Sequence, residues 1–138
     1  MKRARHEVIV RFRDLDALGH VNYAVYLSYL EDALNVLWCE ALQAVGQRFD
    51  PKNPGIVSVR TEVDYRASAL CSQTLGVDVW VSRIGNTSFT AAYCIFDKQT
   101  GKLLVEANTT QVVTIKGEEE RRMPKQVRAI LEAYSAGV

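Results

Sequence analysis

The stretch "YAVYLSYLEDALNVLWCEALQAV", residues 23–45, decides how this chain folds. Its polar side chains Ser28, Glu31, Asp32 and Asn35 recur at spacings of three and four, which puts them in one narrow stripe on a helix. Nearly everything else is apolar: Tyr26, Leu27, Leu30, Ala33, Leu34, Leu37, Trp38 and Leu42. A helix apolar on most sides must be buried on most sides, so another part of the chain has to wrap it. Gly46 suits the stop. Asn22 suits the N-cap.

Working outward, the cover reads as strands. Residues 7–13, "EVIVRFR", place Val8, Val10 and Phe12 on one face, with Arg11 and Arg13 on the other. Residues 56–66 alternate Val57, Val59, Thr61, Val63 and Tyr65 against Ser58, Arg60, Glu62, Asp64 and Arg66. Residues 74–84 align Leu75, Val77, Val79 and Val81. Residues 87–97 align Phe89, Ala91, Tyr93 and Ile95. Residues 102–115 align Leu103, Val105, Ala107 and Thr109. The connections "RIGNT" and "DKQTGK" are hairpin-like. The run "KGEEERR", residues 116–122, reads as a solvated turn. A last short helix starts near Pro124 and carries Val127, Ile130 and Leu131. One strand, a long helix, four strands and a short helix predict an α+β fold with a mainly antiparallel sheet, strongly curved around the helix.

The 138 residues suit a single domain, 1–138, with no repeat or linker dividing it. Seventeen basic against sixteen acidic side chains leave a formal charge of +1, which argues against nucleic-acid binding through a basic field. The longest N-terminal apolar run is Val8-Ile9-Val10, far short of a signal peptide, and no stretch is long enough to span a membrane. Cys39, Cys71 and Cys94 are odd in number and widely spaced, which fits neither a zinc site nor a disulfide framework. Buried free thiols in a reducing cytoplasm are the simplest expectation.

The chemistry concentrates in "RFRDLDALGHVNYAVYLSYLEDA", residues 11–33, at a strand end, a loop and a helix start. A helix N-terminus offers unpaired N–H groups and partial positive charge, which can stabilise an oxyanion formed from an acyl carbonyl. A carboxylate just upstream can attack that carbonyl or activate water. Asp14 or Asp16, His20, and the N–H groups of Asn22 and Tyr23 are the parts available for acyl transfer.

"RDLDALGHVNYAVYLSYLEDA" resembles the D-x-D-x-x-G-[HI]-V-x-[NY] signature of the 4-hydroxybenzoyl-CoA thioesterase-like branch of the hot-dog-fold acyl-CoA thioesterases. The resemblance extends through "VDYR", "RIGNTSFTAAYCIFDKQTGKLLVEA" and "RRMPKQVRAIL", nearly the whole chain. It implies a curved five-stranded antiparallel sheet around the long helix. It also implies a homodimer joined edge to edge, often paired into a tetramer, with the active site at the subunit interface. By position, Asp16 takes the catalytic carboxylate role, as nucleophile or general base. The Tyr23 N–H takes the oxyanion-donor role, Gly19 allows close backbone approach to the thioester, and His20 is supporting. A thiolate leaves readily, so neither metal nor cofactor is implied, coenzyme A being part of the substrate. Two stretches differ from the family pattern: Tyr23 follows Asn22, and "ASALCS", residues 67–72, replaces a Pro and Gly-Asp segment.

The nucleotide end of coenzyme A needs cations and backbone donors. Arg83 and the turn Asn86, Thr87 and Ser88 are candidates, with Arg121, Arg122 and Lys125 behind them, and Asn22 near the thioester. Asp14 reads as a structural loop residue. Glu31 and Asp32 read as a solvated or interface stripe, or alternatively as a second acid. Cys39 and Cys94 lack a readable activating neighbour for pairing with His20. Two rival functions remain at this level, an enoyl-thioester hydratase or dehydratase and a non-catalytic acyl-CoA-binding module. Against the first, Asp16 to His20 is one residue shorter than the Asp-x-x-x-x-His spacing of such enzymes, and no His-Phe-Pro occurs.

Overall fold

The computed structural model describes residues 2–115 and 122–135. Its elements are β1 (Ala4–Ile9), a 3-10 turn (Phe12–Asp14), α1 (Val25–Ala44), β2 (Ile56–Tyr65), β3 (Thr74–Ile84), β4 (Ser88–Asp97), β5 (Leu103–Val113) and α2 (Lys125–Ala133). The strands form one sheet in the order β1-β3-β4-β5-β2, and every neighbouring pair is antiparallel. Hairpins β3–β4 and β4–β5 build the centre, and β1 and β2 are the edges.

The inner rows Leu75, Val77, Val79, Val81 and Phe89, Ala91, Tyr93, Ile95 are buried together with Ala33, Leu37, Trp38, Ala41 and Leu42 of α1. Trp38 stacks on Phe89 at 6.0 Å between ring centroids, and its indole N–H donates to the Pro54 carbonyl at 2.6 Å. Val127 and Leu131 of α2 close the core against α1 and β3. On the other face, the tip of the Phe96 ring sits over Gly76, where an added Cβ would come within 2.3 Å of it.

Several expectations need correction. β1 stops at Ile9 because the Asp14 carboxylate accepts from the Arg11 N–H (2.9 Å) and the Tyr29 hydroxyl (2.9 Å), curling the chain into the 3-10 turn. Phe12 is therefore 85% exposed instead of sharing a face with Val8 and Val10. The helix begins at Val25, not at 23, and Leu27 and Val36 are exposed beside Ser28, Glu31 and Asp32, so its buried face is narrower than the composition suggests. The register slips between Ile95 and Phe96, which turns Leu104 inward in place of Leu103. No cysteine is fully buried: Cys39 and Cys94 are half-buried and Cys71 is exposed, all free. Most of the "KGEEERR" turn, with Arg121, lies outside the described residues.

Candidate active site

Three chain segments converge ahead of α1, among them the loops that follow β1 and β2. The first is a tight turn. Asp16 N–H donates to the His20 carbonyl (2.8 Å) and Gly19 N–H to the Asp16 carbonyl (3.1 Å). Gly19 has φ +77°, a conformation that an L side chain adopts at a cost. A Cβ there would meet nothing within 4 Å, so the glycine serves the turn's dihedral and not a close approach within this chain. The second segment is the loop after β2. Val21 N–H donates to the Ala69 carbonyl (3.0 Å), and His20 bridges to Leu70. The third is the turn ahead of α1, where Asn22 accepts Ala24 N–H on its side chain (2.9 Å) and Val25 N–H on its carbonyl (2.9 Å). The N-cap position is Ala24, which has no side-chain cap, so Asn22 closes the turn ahead of the helix and is not its N-cap.

Asp16 is exposed, and its Oδ1 accepts the N–H groups of Leu18 (2.9 Å) and His20 (3.4 Å). Its other carboxylate oxygen has no hydrogen-bond partner among the described residues. The Tyr23 N–H likewise has no acceptor among them. A cleft of about 320 Å³ gathers Asp16, His20 and Tyr23 with Tyr26, Tyr65 and Arg66. That volume is small for a ligand site.

Tyrosines tie these segments together. The Tyr29 hydroxyl donates to Asp14, the Ala69 N–H donates to the Tyr26 hydroxyl (2.9 Å), and the Tyr65 hydroxyl donates to the Tyr23 carbonyl (2.7 Å). Burial pushes the Tyr29 phenol well up, with the Asp14 hydrogen bond and charge adding to it. Burial also raises Tyr26, and the Asp16 charge adds to that despite the hydrogen bond from Ala69. The Asp16 carboxylate is thus near enough to be felt by a phenol of the cleft wall.

A family model described as the Thioesterase-like superfamily matches residues 10–131. The chain belongs to that superfamily. A thioesterase from Thermus thermophilus, solved in complex with coenzyme A and Zn, is 30% identical, with a TM-score of 0.73 covering 95% of this chain and 92% of that one. A predicted thioesterase from Bacillus stearothermophilus superposes with a TM-score of 0.82 at 22% identity, covering 98% of both chains. A 1,4-dihydroxy-2-naphthoyl-CoA hydrolase of Crocosphaera subtropica (strain ATCC 51142 / BH68) is 24% identical over 117 residues, 82% of each chain. The fold is the hot-dog fold, and the protein is an enzyme of the thioesterase class.

Within this thioesterase chain, Asp16, His20 and Tyr23 meet at one cleft, and Gly19 and Asn22 shape the turns that present them. Arg83, Asn86, Thr87 and Ser88 do not join them. They sit at the Ile84 end of β3, ten residues from the Thr74 end that borders the loop segments, or roughly 30 Å along the strand. There the carbonyls of Gly85, Asn86 and Thr87 accept from Arg128, Met123 and Val113, so the turn is anchored to α2 and β5. Cleft residues with no signal of their own in the sequence reading are Tyr26, Tyr65 and Arg66. The last two lie within the "VDYR" match, the one hint available. Ala67 and Ser68, from the stretch that departs from the family pattern, also line the cleft. Burial raises the Cys94 thiol, with Asp78 adding to it, which disfavours a thiolate there. Among the described residues no His, Cys, Asp and Glu group is arranged to hold a metal ion, and no helix is long and apolar enough to cross a membrane.

Proposed function

We propose that the protein hydrolyses an acyl-CoA thioester to the free acid and coenzyme A, with Asp16 as nucleophile or general base and the Tyr23 N–H as oxyanion donor. The observation that carries this reading is the shared cleft: a carboxylate with one unengaged oxygen and an unengaged amide in the turn two residues ahead of α1. A thioester carbonyl seated between them meets a nucleophile or activated water on its carbon and a donor on its oxygen. As the tetrahedral oxyanion forms, the N–H gains most of its strength, which is where such a donor accelerates the reaction. His20, on the cleft wall, orients the carbonyl or water. The relative named as a 1,4-dihydroxy-2-naphthoyl-CoA hydrolase and the one solved with coenzyme A support a CoA thioester as substrate.

The small volume of the cleft supports its completion by a second copy. β2 is an edge strand, with Val57 and Val59 more than half exposed, and we assign the dimer to pairing along that edge. The Arg83–Ser88 turn, remote from the cleft in its own chain, then serves the nucleotide end of coenzyme A only if the assembly brings it there. Three free cysteines support a reducing cytoplasm as the setting.

The test is hydrolysis of a panel of aliphatic and aromatic acyl-CoAs by the wild type and by Asp16→Asn. The amide keeps an oxygen for the Leu18 N–H but cannot attack or take a proton. Turnover should fall by about 100-fold or more. Unchanged turnover removes Asp16 from the mechanism. Enoyl-CoA hydration without hydrolysis, or tight binding with recovery of intact ester, replaces the hydrolase reading outright.

A further inference from the structure

The amide that would receive the oxyanion belongs to a residue held on both sides. Upstream, the Asn22 N–H donates to the Asp14 carbonyl (2.9 Å) and the Asn22 carbonyl accepts Val25 N–H (2.9 Å). Downstream, the peptide between Tyr23 and Ala24 is fixed twice: its N–H donates to the Asn22 side chain (2.9 Å) and its carbonyl accepts the Tyr65 hydroxyl (2.7 Å). All but one of these bonds join neighbours within the loop and turn before α1. The exception comes from β2, 42 residues along the chain. The Tyr65 ring is itself set edge-on against Tyr26 at 5.5 Å, and Tyr26 is held by the Ala69 N–H (2.9 Å). The Tyr65 hydroxyl thereby ties the turn to the sheet at the Tyr23 carbonyl itself, beside the Val21–Ala69 bond that already joins it to the loop after β2. Partial burial, with Tyr26 and Tyr23 nearby, raises the Tyr65 phenol, so it stays a donor through the neutral range.

We propose that Tyr65 is a positioning residue for the reaction: its hydroxyl holds the Tyr23 carbonyl so that the Tyr23 N–H stays aimed into the cleft. This rests on the hydrolase reading above. Tyr65 touches no reacting atom in this role. Its contribution is orientation, and small displacements of a preorganised donor have large effects on rate.

The experiment is Tyr65→Phe, which deletes the hydroxyl and keeps the ring against Tyr26. On the best acyl-CoA of the panel, kcat should fall about tenfold to thirtyfold with KM within about twofold. The pH–rate profile should keep its shape, and amide hydrogen exchange should quicken across residues 21–26 but not across β3 and β4. A kcat within twofold of wild type overturns the proposal. So does a change confined to KM, which makes Tyr65 a ground-state substrate contact and not a positioning group, or a displaced pH profile, which makes it a proton-transfer group. Quickened exchange throughout the protein makes the hydroxyl a general structural prop and overturns it as well. Failure of the two readings separates cleanly. A wild type inert on every thioester defeats the hydrolase reading and the role of Tyr65 with it. An active wild type with an equally active Tyr65→Phe defeats only the positioning role.

Discussion

β4 and β2 alternate equally well in sequence, yet they live in different environments. Along β4, Phe89, Ala91, Tyr93 and Ile95 are each at most 2% exposed. Along β2, Val57 and Val59 are 52% and 58% exposed, and Tyr65 is 46% exposed. Alternation reports that a strand has two unlike faces. Whether anything covers either face is decided by position in the sheet, and β4 is central where β2 is an edge. The covered side carries the fold. The uncovered side contributes Tyr65 to the candidate site and offers the edge along which a second copy would pair.

This division is open to experiment. The largest effect is expected on the covered side. Trp38→Ala removes the ring stacked on Phe89 and leaves the Pro54 carbonyl without its donor, and should destabilise the protein by about 3–5 kcal/mol in a denaturant titration. A loss below about 1 kcal/mol would mean that the core is not organised around α1. Gly76→Ala, also in a central strand, drives a methyl group into the Phe96 ring and should cost about 1–3 kcal/mol, readable as a lower denaturation midpoint. On the uncovered side, joint Val57→Lys and Val59→Lys should leave the stability of the folded chain within about 0.5 kcal/mol of wild type. Light scattering should nevertheless report loss of the dimer, and thioester turnover should fall with it. An intact dimer places the interface elsewhere.

The smallest effect concerns a clasp away from both regions. Glu40 accepts hydrogen bonds from the Tyr134 hydroxyl and Lys2 (2.9 Å), and these hold its carboxyl below the ordinary carboxylate range, Tyr134 contributing first. A carboxyl whose folded pKa is depressed stabilises the fold above its unfolded value and loses that contribution as pH falls through the folded one. The advantage of wild type over Glu40→Gln should therefore be present at neutral pH and vanish at acid pH below the carboxylate range. With Glu40 partly exposed and the pair screened, its size is at most about 1 kcal/mol. An advantage that grows on acidification contradicts the assignment.

Much of this was readable from residue order alone. The five strands and two helices follow from periodicity, and Asp16, His20 and Tyr23 follow from a motif only ten residues long, Asp14 to Tyr23. The misreadings share one physical origin. Phe12 looked like the continuation of β1 because pattern cannot register a hydrogen bond from Tyr29, fifteen residues beyond Asp14, that curls the backbone. Leu104 replaces Leu103 in the core through a slip in strand pairing, which is set by two strands jointly. Tyr65 read as one more alternating strand residue, because its hydroxyl finds its acceptor across the fold and nothing local marks it.

The clasp on Glu40 also bears on how the molecule can be handled. It joins the second residue of the chain and Tyr134, near the other end, to one turn of α1, fifteen residues beyond its first. At 1.5 Å per residue that is about 22 Å along the axis from the end facing Asp16. Force applied through Lys2 or through Tyr134 therefore loads the same remote turn. Shortening the chain past Lys2 or Tyr134 would unfasten that turn first, leaving the opposite tip of the helix the last place to notice.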